Sequence, residues 1–519
     1  MKQTDKFTLS REEEALDEIK RTQIKRSEAQ AAITLFLFFL IIVPAVQLLV
    51  SIPAFEMPRK VQGKGIDYVW EYNKQLIDQK EHWESSLEEQ SFLQKFFPVP
   101  FQRFLTQVLH TGNEKAIVGK EDWLFYETDI RYYQTPINFN SVACIIDFAN
   151  QLEKRGIKLL LMPVPLKPTY HPAMLSGRYP AGKRLQHPDY ARWKAELQSA
   201  GISFATLPDT ITYLREDTHW DAASMEKAAD YLANDIQSYA TVETGTTNYT
   251  LENEKICQRG DIYSMLRLKE SLPWGAPQTV EIHPVLNERG EGCLPSRESP
   301  VLLLGDSFSN IYSLQGLGWG AGAGLAEQLS FRLQMPIDAI RRNDAGSIAT
   351  RKILQNELKR GRDRLNGKQV VIWEFAEREL SFGEWEKLDM TLGTPEPSTF
   401  IALDSGDSLT VQGTILERSA SPMPDKVTYA DHVIALHLTD LRHTSGDSIP
   451  GEAVVYTMGM KNRELTPEAF LRAGDHIRIT LKSWQDNETQ YGGFNRNELD
   501  DIELQLQEPV WGENIKRID

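Results

Sequence analysis

The sequence predicts an α/β protein built on a mostly parallel sheet with helices on both faces, followed by a smaller β-rich domain. Short, fully apolar runs are typical of strands buried on both faces. Such runs occur at residues 159–164, 301–304 and 370–373. Helical patterns alternate with them, at residues 141–155, 222–239 and 351–360. This alternation favours parallel strands, because each parallel pair needs a crossover connection that a helix supplies.

An apolar segment near the amino terminus predicts a transmembrane helix. Residues 30–55 carry no charge, and about 20 apolar residues suffice to cross a bilayer. Basic residues just before this segment place the amino terminus in the cytoplasm by the positive-inside rule. A cleaved signal peptide is the alternative interpretation. The polar lead at residues 1–29 is long for that role, so we expect an uncleaved anchor with the remainder outside the cytoplasm.

Changes of composition along the chain predict its division into domains. Residues 391–398 have the composition of a linker. They separate the α/β region from three strand-like runs, at residues 433–438, 453–458 and 476–481. Residues 250–298 interrupt the α/β pattern and are interpreted as an insertion. The predicted segments are a cytoplasmic tail (1–29), the anchor (30–55), a lead-in (56–115), an α/β domain (116–390) and a β-rich domain (399–519).

Charge and cysteine content narrow the functional class. The formal net charge of −16 at pH 7 argues against nucleic-acid binding, which needs a basic face. The ten histidines show no metal-ligand spacing with cysteine, so we expect no metal site. The three cysteines leave two interpretations open. One is a disulfide between Cys257 and Cys293, which flank the loop-rich insertion, and the other is that these residues and Cys144 are buried free thiols.

The candidate chemistry lies in two short motifs. Leu302–Leu304 lead into Gly305-Asp306-Ser307, which predicts a strand followed by a tight turn. Gly305 is expected to allow backbone angles that a side chain would forbid, so that Ser307 lies at the edge of the sheet. A serine there is a nucleophile only if a base reaches it. Asp217-Thr218-His219 offers an imidazole with a carboxylate to orient it. Each motif alone is also an ordinary turn or helix cap, so the prediction depends on their meeting.

Five blocks of sequence in order resemble the SGNH-like alginate O-acetyltransferase family, whose members are membrane-linked periplasmic proteins that acetylate exopolysaccharides. These blocks are residues 119–126, 164–167, 217–220, 305–309 and 371–378. The resemblance implies a flavodoxin-like sheet with a Ser-His-Asp triad and no cofactor. Ser307 would take an acetyl group and pass it to a sugar hydroxyl, His219 would act as base and acid, and Asp217 would fix its tautomer.

Further candidates follow from the needs of acyl transfer. An oxyanion must be stabilised, and the donors considered are the backbone amide of Ser307 and the segments that contain Arg341, Asn343 and Gly318. Trp220 is interpreted as a packing residue beside the triad, with sugar stacking as the alternative. In the β-rich domain, Trp484, Tyr491 and Trp511 would form a platform for sugar rings or an ordinary β core.

The resulting functional hypothesis is an inner-membrane-anchored periplasmic O-acetyltransferase acting on an exopolysaccharide of the cellulose or alginate type. The family resemblance implies a membrane-bound O-acyltransferase as the partner that supplies acetyl groups. The net negative charge of the chain repels a negatively charged polysaccharide and therefore favours a neutral acceptor, unless a local basic groove reverses this repulsion. A carbohydrate esterase of the same fold and a non-catalytic glycan-binding scaffold of an export complex are the alternatives.

Overall fold

The computed structural model of the chain describes residues 111–518, except 181, 267, 269–274, 395–397, 425, 426 and 428, and also isolated helical residues between 30 and 106. The chain divides into two units, residues 1–101 and 102–519. The predicted tail at residues 1–29 lies outside the described residues, and so do most positions of the predicted anchor and lead-in. Where the chain is described, no helix combines the length and the apolar character that a membrane crossing requires.

The second unit consists of strands joined by helices and hairpins. The strands are β1 (Ala116–Val118), β2 (Leu124–Tyr126), β3 (Lys158–Val164), β4 (Ser203–Phe204), β5 (Thr250–Leu251), β6 (Glu254–Gln258), β7 (Gln278–Ile282), β8 (Val285–Leu286), β9 (Val301–Gly305), β10 (Asp338–Arg341), β11 (Val370–Ala376), β12 (Ser408–Arg418), β13 (His432–His443), β14 (Ala453–Lys461), β15 (Glu464–Leu465), β16 (His476–Ser483), β17 (Asn495–Asn497) and β18 (Pro509–Arg517). The helices are α1 (Glu127–Tyr132), α2 (Asn140–Glu153), α3 (Lys167–Tyr170), α4 (Pro172–Leu175), α5 (Tyr190–Ser199), α6 (Ala222–Ala240), α7 (Asp261–Met265), α8 (Ser307–Asn310), α9 (Leu325–Leu333), α10 (Ala349–Lys359), α11 (Glu379–Phe382), α12 (Trp484–Tyr491) and α13 (Ile502–Gln505).

The first sheet is a five-stranded parallel sheet in the order β10-β9-β11-β3-β4. Every residue of β9 and β11 is buried. Successive side chains of a strand point to opposite faces, so burial of all of them means that both faces are covered. The three apolar runs predicted as strands are β3, β9 and β11. Of the predicted helical patterns, α2 precedes β3, α6 lies between β3 and β9, and α10 lies between β9 and β11.

The strand order explains why the acid and base precede the serine in the chain. When the five strands are numbered by their order in the chain and the sheet is read from β4 to β10, the order is 2-1-5-3-4. This differs from the flavodoxin-like order 2-1-3-4-5. If β9, β10, β11, β3 and β4 are instead numbered 1 to 5, the sheet read from β10 to β4 has the order 2-1-3-4-5. The sheet therefore has the flavodoxin-like arrangement in a circularly permuted chain, and the loop after β4 becomes the loop after the last strand.

The carboxyl-terminal strands close into a small barrel-like structure. β13 pairs with β14 and β12, β12 pairs with β16, β16 pairs with β18, and β18 pairs with β14. Closure removes the exposed edges that an open sheet would leave. Its interior is aliphatic, with Ile415, Leu436, Val455 and Ile479 all buried. The three strand-like runs predicted in this region lie in β13, β14 and β16, whereas β12 and β18 were not predicted.

Buried ion pairs tie the barrel to the parallel sheet. Arg364 contacts Asp338 at the start of β10 (2.8 Å) and Glu488 on α12 (3.4 Å). Arg360 donates to the backbone carbonyls of Gln505, Leu506 and Gln507. Removing one partner from a buried pair leaves an uncompensated charge. The junction between the two parts is therefore specific rather than a loose surface contact.

Candidate active site

Ser307 lies at the carboxyl end of β9, where the chain turns into the one-turn helix α8. Gly305 was expected to supply backbone angles that a side chain forbids, and this reason is wrong, because Gly305 is not among the residues with positive φ. Space is what the position requires, because a Cβ on Gly305 would collide with the Ser309 hydroxyl. Glycine is thus needed for the close approach of Ser309 to the strand end.

The turn around Ser307 is held by two buried carboxyl groups. Oδ1 of Asp306 accepts from the Phe308 N–H (2.8 Å), and its Oδ2 accepts from the Ala376 N–H at the end of β11 (2.8 Å). Oε2 of Glu374 accepts from the Asp306 N–H (2.9 Å) and from the Ser309 hydroxyl (2.5 Å). Burial and the nearby Asp306 raise the pKa of Glu374 well above its usual value. The serine turn is therefore fastened to the neighbouring strand by several hydrogen bonds.

Three predicted side chains from two distant loops meet at this edge of the sheet. His219 Nε2 lies 2.8 Å from Ser307 Oγ, and His219 Nδ1 lies 2.7 Å from Asp217 Oδ1. Asp217 Oδ1 also accepts from the His219 backbone N–H (3.0 Å), so the same carboxylate oxygen contacts both the backbone and the ring of His219. All three residues are buried, with exposed fractions of 1% for Asp217, 5% for His219 and 7% for Ser307. Both ring nitrogens are within the hydrogen-bond reach that a nucleophile and its base need.

The second oxygen of Asp217 has partners that the sequence analysis missed. Oδ2 accepts from the Trp319 indole N–H (2.9 Å) and from the Asp261 backbone N–H (3.0 Å). The Asp261 carboxylate in turn accepts from the backbone N–H and the hydroxyl of Thr218, both at 2.8 Å. Asp261 belongs to the segment interpreted as an insertion, which therefore shapes the site. No local pattern marks these contacts, because they join residues more than 40 positions apart.

A buried lysine beneath the Asp-x-His loop was also missed, although its motif entered the family resemblance. Lys167 is 1% exposed, and its Nζ donates to the carbonyls of Leu124 (2.6 Å), Arg215 (2.8 Å) and Asp217 (2.9 Å). Burial lowers the pKa of Lys167 to about 7, against the opposing effect of Asp217. These three acceptors use all three ammonium donors, so Lys167 fixes the loop backbone.

The pKa shifts of Asp217 and His219 follow from burial and from the hydrogen bond between them. Burial by itself raises the pKa of Asp217, but the bonds from His219, Asp261 and Trp319 outweigh it and hold this pKa at about 2. Burial by itself lowers the pKa of His219, and the hydrogen bond and charge of Asp217 outweigh it, so the net shift is upward. The arrangement suits a carboxylate that remains ionised beside a more basic imidazole.

An aromatic layer surrounds the imidazole. The Phe308 ring lies 4.8 Å from the His219 ring and meets the Trp220 ring edge-on at 5.7 Å. Trp220 is fully buried, and its indole N–H donates to the Phe308 carbonyl (3.1 Å). The structure thus places Trp220 inside the core, in a packing position that offers no face for sugar stacking.

The other oxyanion candidates are engaged elsewhere. Arg341 pairs with Glu327 at 3.0 Å. The Asn343 side chain accepts from Asn310 (2.8 Å). Gly318 has a left-handed backbone with a φ of 86° and lies next to Gln258 rather than Ser307. In the described part of the chain no hydrogen bond joins Arg341, Asn343 or Gly318 to Ser307, His219 or Asp217, so their role as oxyanion donors stays a prediction.

The predicted aromatic platform and the predicted disulfide need correction. Trp511 is 2% exposed and stacks on Tyr491 with ring centroids 3.9 Å apart, while Trp484 packs 6.1 Å from Trp511. These rings cover one another, so Trp511 cannot offer a face to a sugar. Cys257 and Cys293 are free thiols, as is Cys144, but only Cys144 is buried, so the alternative of three buried thiols is wrong in part.

One group of side chains has the composition of a metal site. Within the described residues, ligand atoms of Asp217, His219 and Asp261 lie within 4.8 Å of one another. Their oxygen and nitrogen atoms are occupied by the hydrogen bonds described above, which connect them to Ser307, Trp319 and the Thr218 amide and hydroxyl. The donor set is therefore already satisfied and favours proton transfer over metal coordination.

The permuted flavodoxin-like sheet and the Ser307–His219–Asp217 hydrogen-bond chain at its carboxyl edge together define an SGNH hydrolase-like protein. Residues 116–377 match the family described as "SGNH hydrolase-like domain, acetyltransferase AlgX", and the chain belongs to this family.

The chain is similar to several named proteins. A protein of Pseudomonas aeruginosa named "Probable alginate O-acetylase AlgJ" is 24% identical over 287 residues, which cover 53% of this chain and 72% of the relative. The chain is also similar to the solved O-acetyltransferase domain of Pseudomonas putida AlgJ, with 22% identity, a TM-score of 0.39, and coverage of 52% of this chain and 92% of that domain. For the solved Pseudomonas aeruginosa AlgX the sequence identity is 14% and the TM-score is 0.39. The match covers 76% of this chain and 90% of AlgX.

Proposed function

We propose that the chain is a periplasmic O-acetyltransferase that moves acetyl groups onto hydroxyls of an exopolysaccharide through Ser307, His219 and Asp217. The observation that carries the proposal is the hydrogen-bond chain in which His219 contacts both Ser307 (2.8 Å) and Asp217 (2.7 Å). Membership of the acetyltransferase AlgX family supports acetyl transfer as the reaction. The names of the AlgJ relatives support a polysaccharide acceptor of the alginate type, and cellulose remains an acceptor to be tested.

The first half of the reaction acetylates the serine. His219 Nε2 accepts the Ser307 hydroxyl proton while Oγ attacks the acetyl carbonyl of the donor ester. Asp217 stabilises the imidazolium that forms, and the backbone N–H of Ser307 is the donor we assign to the oxyanion. The tetrahedral intermediate then collapses: the bond to the donor oxygen breaks, and His219 returns its proton to that leaving oxygen. The acetyl group is left as an ester on Ser307.

The second half transfers the acetyl group. A sugar hydroxyl loses its proton to His219 and attacks the acetyl-serine carbonyl, after which Ser307 Oγ leaves and takes the proton back. One ester bond breaks and one forms, with no oxidation or reduction. Because water is the competing nucleophile, transfer requires that a sugar hydroxyl occupies its place.

The location and partners complete the proposal. Residues 30–55 would anchor the chain in the inner membrane with the amino terminus in the cytoplasm, since the segment is uncharged and follows basic residues. Acetyl groups originate in the cytoplasm, so a membrane-bound O-acyltransferase would deliver them across the bilayer. An anchored site would remain near that partner and near the growing polymer.

The decisive experiment uses the full-length protein in detergent with an activated acetyl ester and a hexameric mannuronate or β-glucan acceptor. We expect acetylated oligosaccharide by mass spectrometry, and a loss of about 10⁴-fold or more in Ser307→Ala. Ser199→Ala, which changes an exposed serine on α5, is the matched control. Release of acetate with no acetylated sugar at high acceptor concentration would indicate an esterase. Undiminished polymer acetylation in cells that carry a folded Ser307→Ala protein would indicate a scaffold.

A further inference from the structure

The carbonyl oxygen that becomes negative during acyl transfer needs hydrogen-bond donors, and the Ser307 backbone N–H is a single donor. Serine hydrolases commonly supply two, and the loss of one costs about a hundredfold or more in rate. A second donor has to come from a loop beside Ser307, at the carboxyl end of β10 or β11, the strands that flank β9. After β10, Arg341 pairs with Glu327 and Asn343 accepts from Asn310. The turn after β11 therefore becomes the place to look.

Arg378 lies in this turn, two residues beyond the end of β11 and at the same edge of the sheet as Ser307. Its guanidinium carbon lies 5.7 Å from the centroid of the Phe308 ring. The Phe308 ring in turn lies 4.8 Å from the His219 ring. Arg378 is thus a cation in the layer of side chains that surrounds the nucleophile and its base.

One buried carboxylate holds the guanidinium of Arg378. Nη1 donates to Oδ1 of Asp129 over 2.7 Å, and Asp129 is 1% exposed. In the described part of the chain Nε and Nη2 of Arg378 form no hydrogen bond, and neither of them is a buried atom without a partner, so both reach solvent. The Arg378 side chain is 16% exposed. It therefore combines a fixed orientation with N–H donors that a ligand can use.

The charge of Arg378 acts on the serine turn and on the imidazole. Burial lowers the pKa of Arg378, and the charges of Asp129 and Asp306 raise it by more, so the guanidinium stays protonated. Burial also lowers the pKa of His219, and the positive charge of Arg378 adds to this effect. A permanent positive charge beside both groups suits the negative charge that develops on the acyl oxygen.

We infer that Arg378 donates a hydrogen bond to the oxyanion that forms when Ser307 Oγ attacks the acetyl ester. The inference rests on the proposed transfer reaction and adds a second donor to it. The carbonyl π electrons move onto the acyl oxygen as the Oγ–carbon bond forms, and they return when the leaving oxygen departs. The guanidinium keeps its protons throughout, so its hydrogen bond is strongest in the charged intermediate. Asp129 is then a positioning residue that orients Arg378 without contacting the substrate.

The test measures cleavage of 4-nitrophenyl acetate by the full-length protein in detergent. Arg378→Met should lower kcat about a hundredfold with little change in KM, because the lost interaction exists only in the transition state. Arg378→Lys keeps the charge without the planar fork and should lose about tenfold. Rates are compared at alkaline pH, where His219 is neutral in every variant. Arg155 pairs with Asp363 near the amino ends of β3 and β11, so Arg155→Met is the matched control and should keep its kcat.

Inhibition by methylboronic acid gives a readout that a purely structural ion pair would not move. Boron bonds to Ser307 Oγ and becomes a tetrahedral anion, which resembles the charged intermediate. Its inhibition constant should rise in Arg378→Met by about the factor by which kcat/KM falls. Melting temperatures identify any variant that fails to fold, and Arg378→Lys then carries the test.

Two results would overturn the inference. One is wild-type kcat in Arg378→Met, and the other is a lower kcat with unchanged inhibition by the boronate. A loss in an Asn343→Leu variant without one in Arg378→Met would assign the second donor to Asn343 instead. If the wild-type chain does not cleave the ester, the proposed function fails together with the inference, whereas full activity in Arg378→Met refutes the inference alone.

Discussion

The Trp319 indole N–H donates to Oδ2 of Asp217 over 2.9 Å, on the opposite side of the carboxylate from His219. Trp319 is 1% exposed and lies between Gly318 and Gly320, whose φ values are 86° and 92°. Both glycines are in the left-handed region that other residues rarely adopt, and a Cβ on Gly320 would collide with Ile282. The backbone of the Gly-Trp-Gly sequence therefore places an indole N–H donor against the Asp217 carboxylate.

Replacing this donor should change both the rate and the pH dependence of acetyl-ester cleavage. Trp319→Phe removes the indole N–H while keeping an aromatic ring, so Asp217 shares its charge with fewer donors and attracts the His219 proton more strongly. We expect kcat/KM to fall about tenfold and the acidic limb of its pH profile to move to higher pH. Steady-state kinetics across pH measure both effects.

A matched variant separates this effect from general loss of a buried indole. Trp193 is also fully buried, and its indole N–H donates to Ser141 (2.9 Å) rather than to Asp217. Trp193→Phe should lower the melting temperature without moving the pH profile. Equal shifts of the profile in the two variants would show that Trp319 has no special relation to Asp217.

The wild-type pH profile should show that a neutral imidazole is required. The pKa of His219 is raised above its ordinary value of 6.5 because the hydrogen bond and charge of Asp217 outweigh burial. His219 accepts a proton only when neutral, so kcat/KM should fall as the pH is lowered through a midpoint above 6.5. Asp217, with a pKa of about 2, stays ionised over this range. An acidic midpoint below 6.5 would contradict the assignment of His219 as base.

Glu374 should act as an acceptor that shapes the serine turn. Glu374→Gln keeps a carbonyl oxygen for the Asp306 N–H and the Ser309 hydroxyl, so stability should change by less than about 1 kcal/mol. Glu374→Leu leaves both donors unsatisfied in the interior and should cost about 2–4 kcal/mol in urea unfolding. Ester cleavage should fall in the leucine variant, because the turn that carries Ser307 loses its support. An equal loss of stability in both variants would contradict this role.

Glu377 should make stability depend on pH in the neutral range. Its pKa is about 8 in the folded protein and about 4.5 ordinarily, so between these values the folded state holds a proton that the unfolded state has lost. Stability therefore declines as the pH rises through this window. Glu377→Gln stays neutral throughout, so its melting temperature relative to wild type should increase from pH 4.5 to pH 8. A difference that stays constant with pH would show that Glu377 is ionised in both states.

Local patterns were enough to predict the strands that build the site. The apolar runs that became β3, β9 and β11 are buried on both faces, and such strands have a distinctive composition. The Asp-x-His spacing predicted that Asp217 orients the His219 imidazole, and Asp217 does contact the His219 ring as well as its backbone N–H. The meeting of this loop with Ser307 was expected as well, although the chain order differs from the spatial order of the strands.

By itself, then, the sequence determined the α/β class, the three central side chains and the β-rich carboxyl-terminal region, because periodicity and short spacings are local properties. Tertiary structure decided which donors fix Asp217, since Trp319 and Asp261 arrive from remote segments. It also decided that Trp511 is interior, with its ring stacked on that of Tyr491. Direction and burial of a side chain depend on what the folded chain places around it, and no residue type carries that information alone.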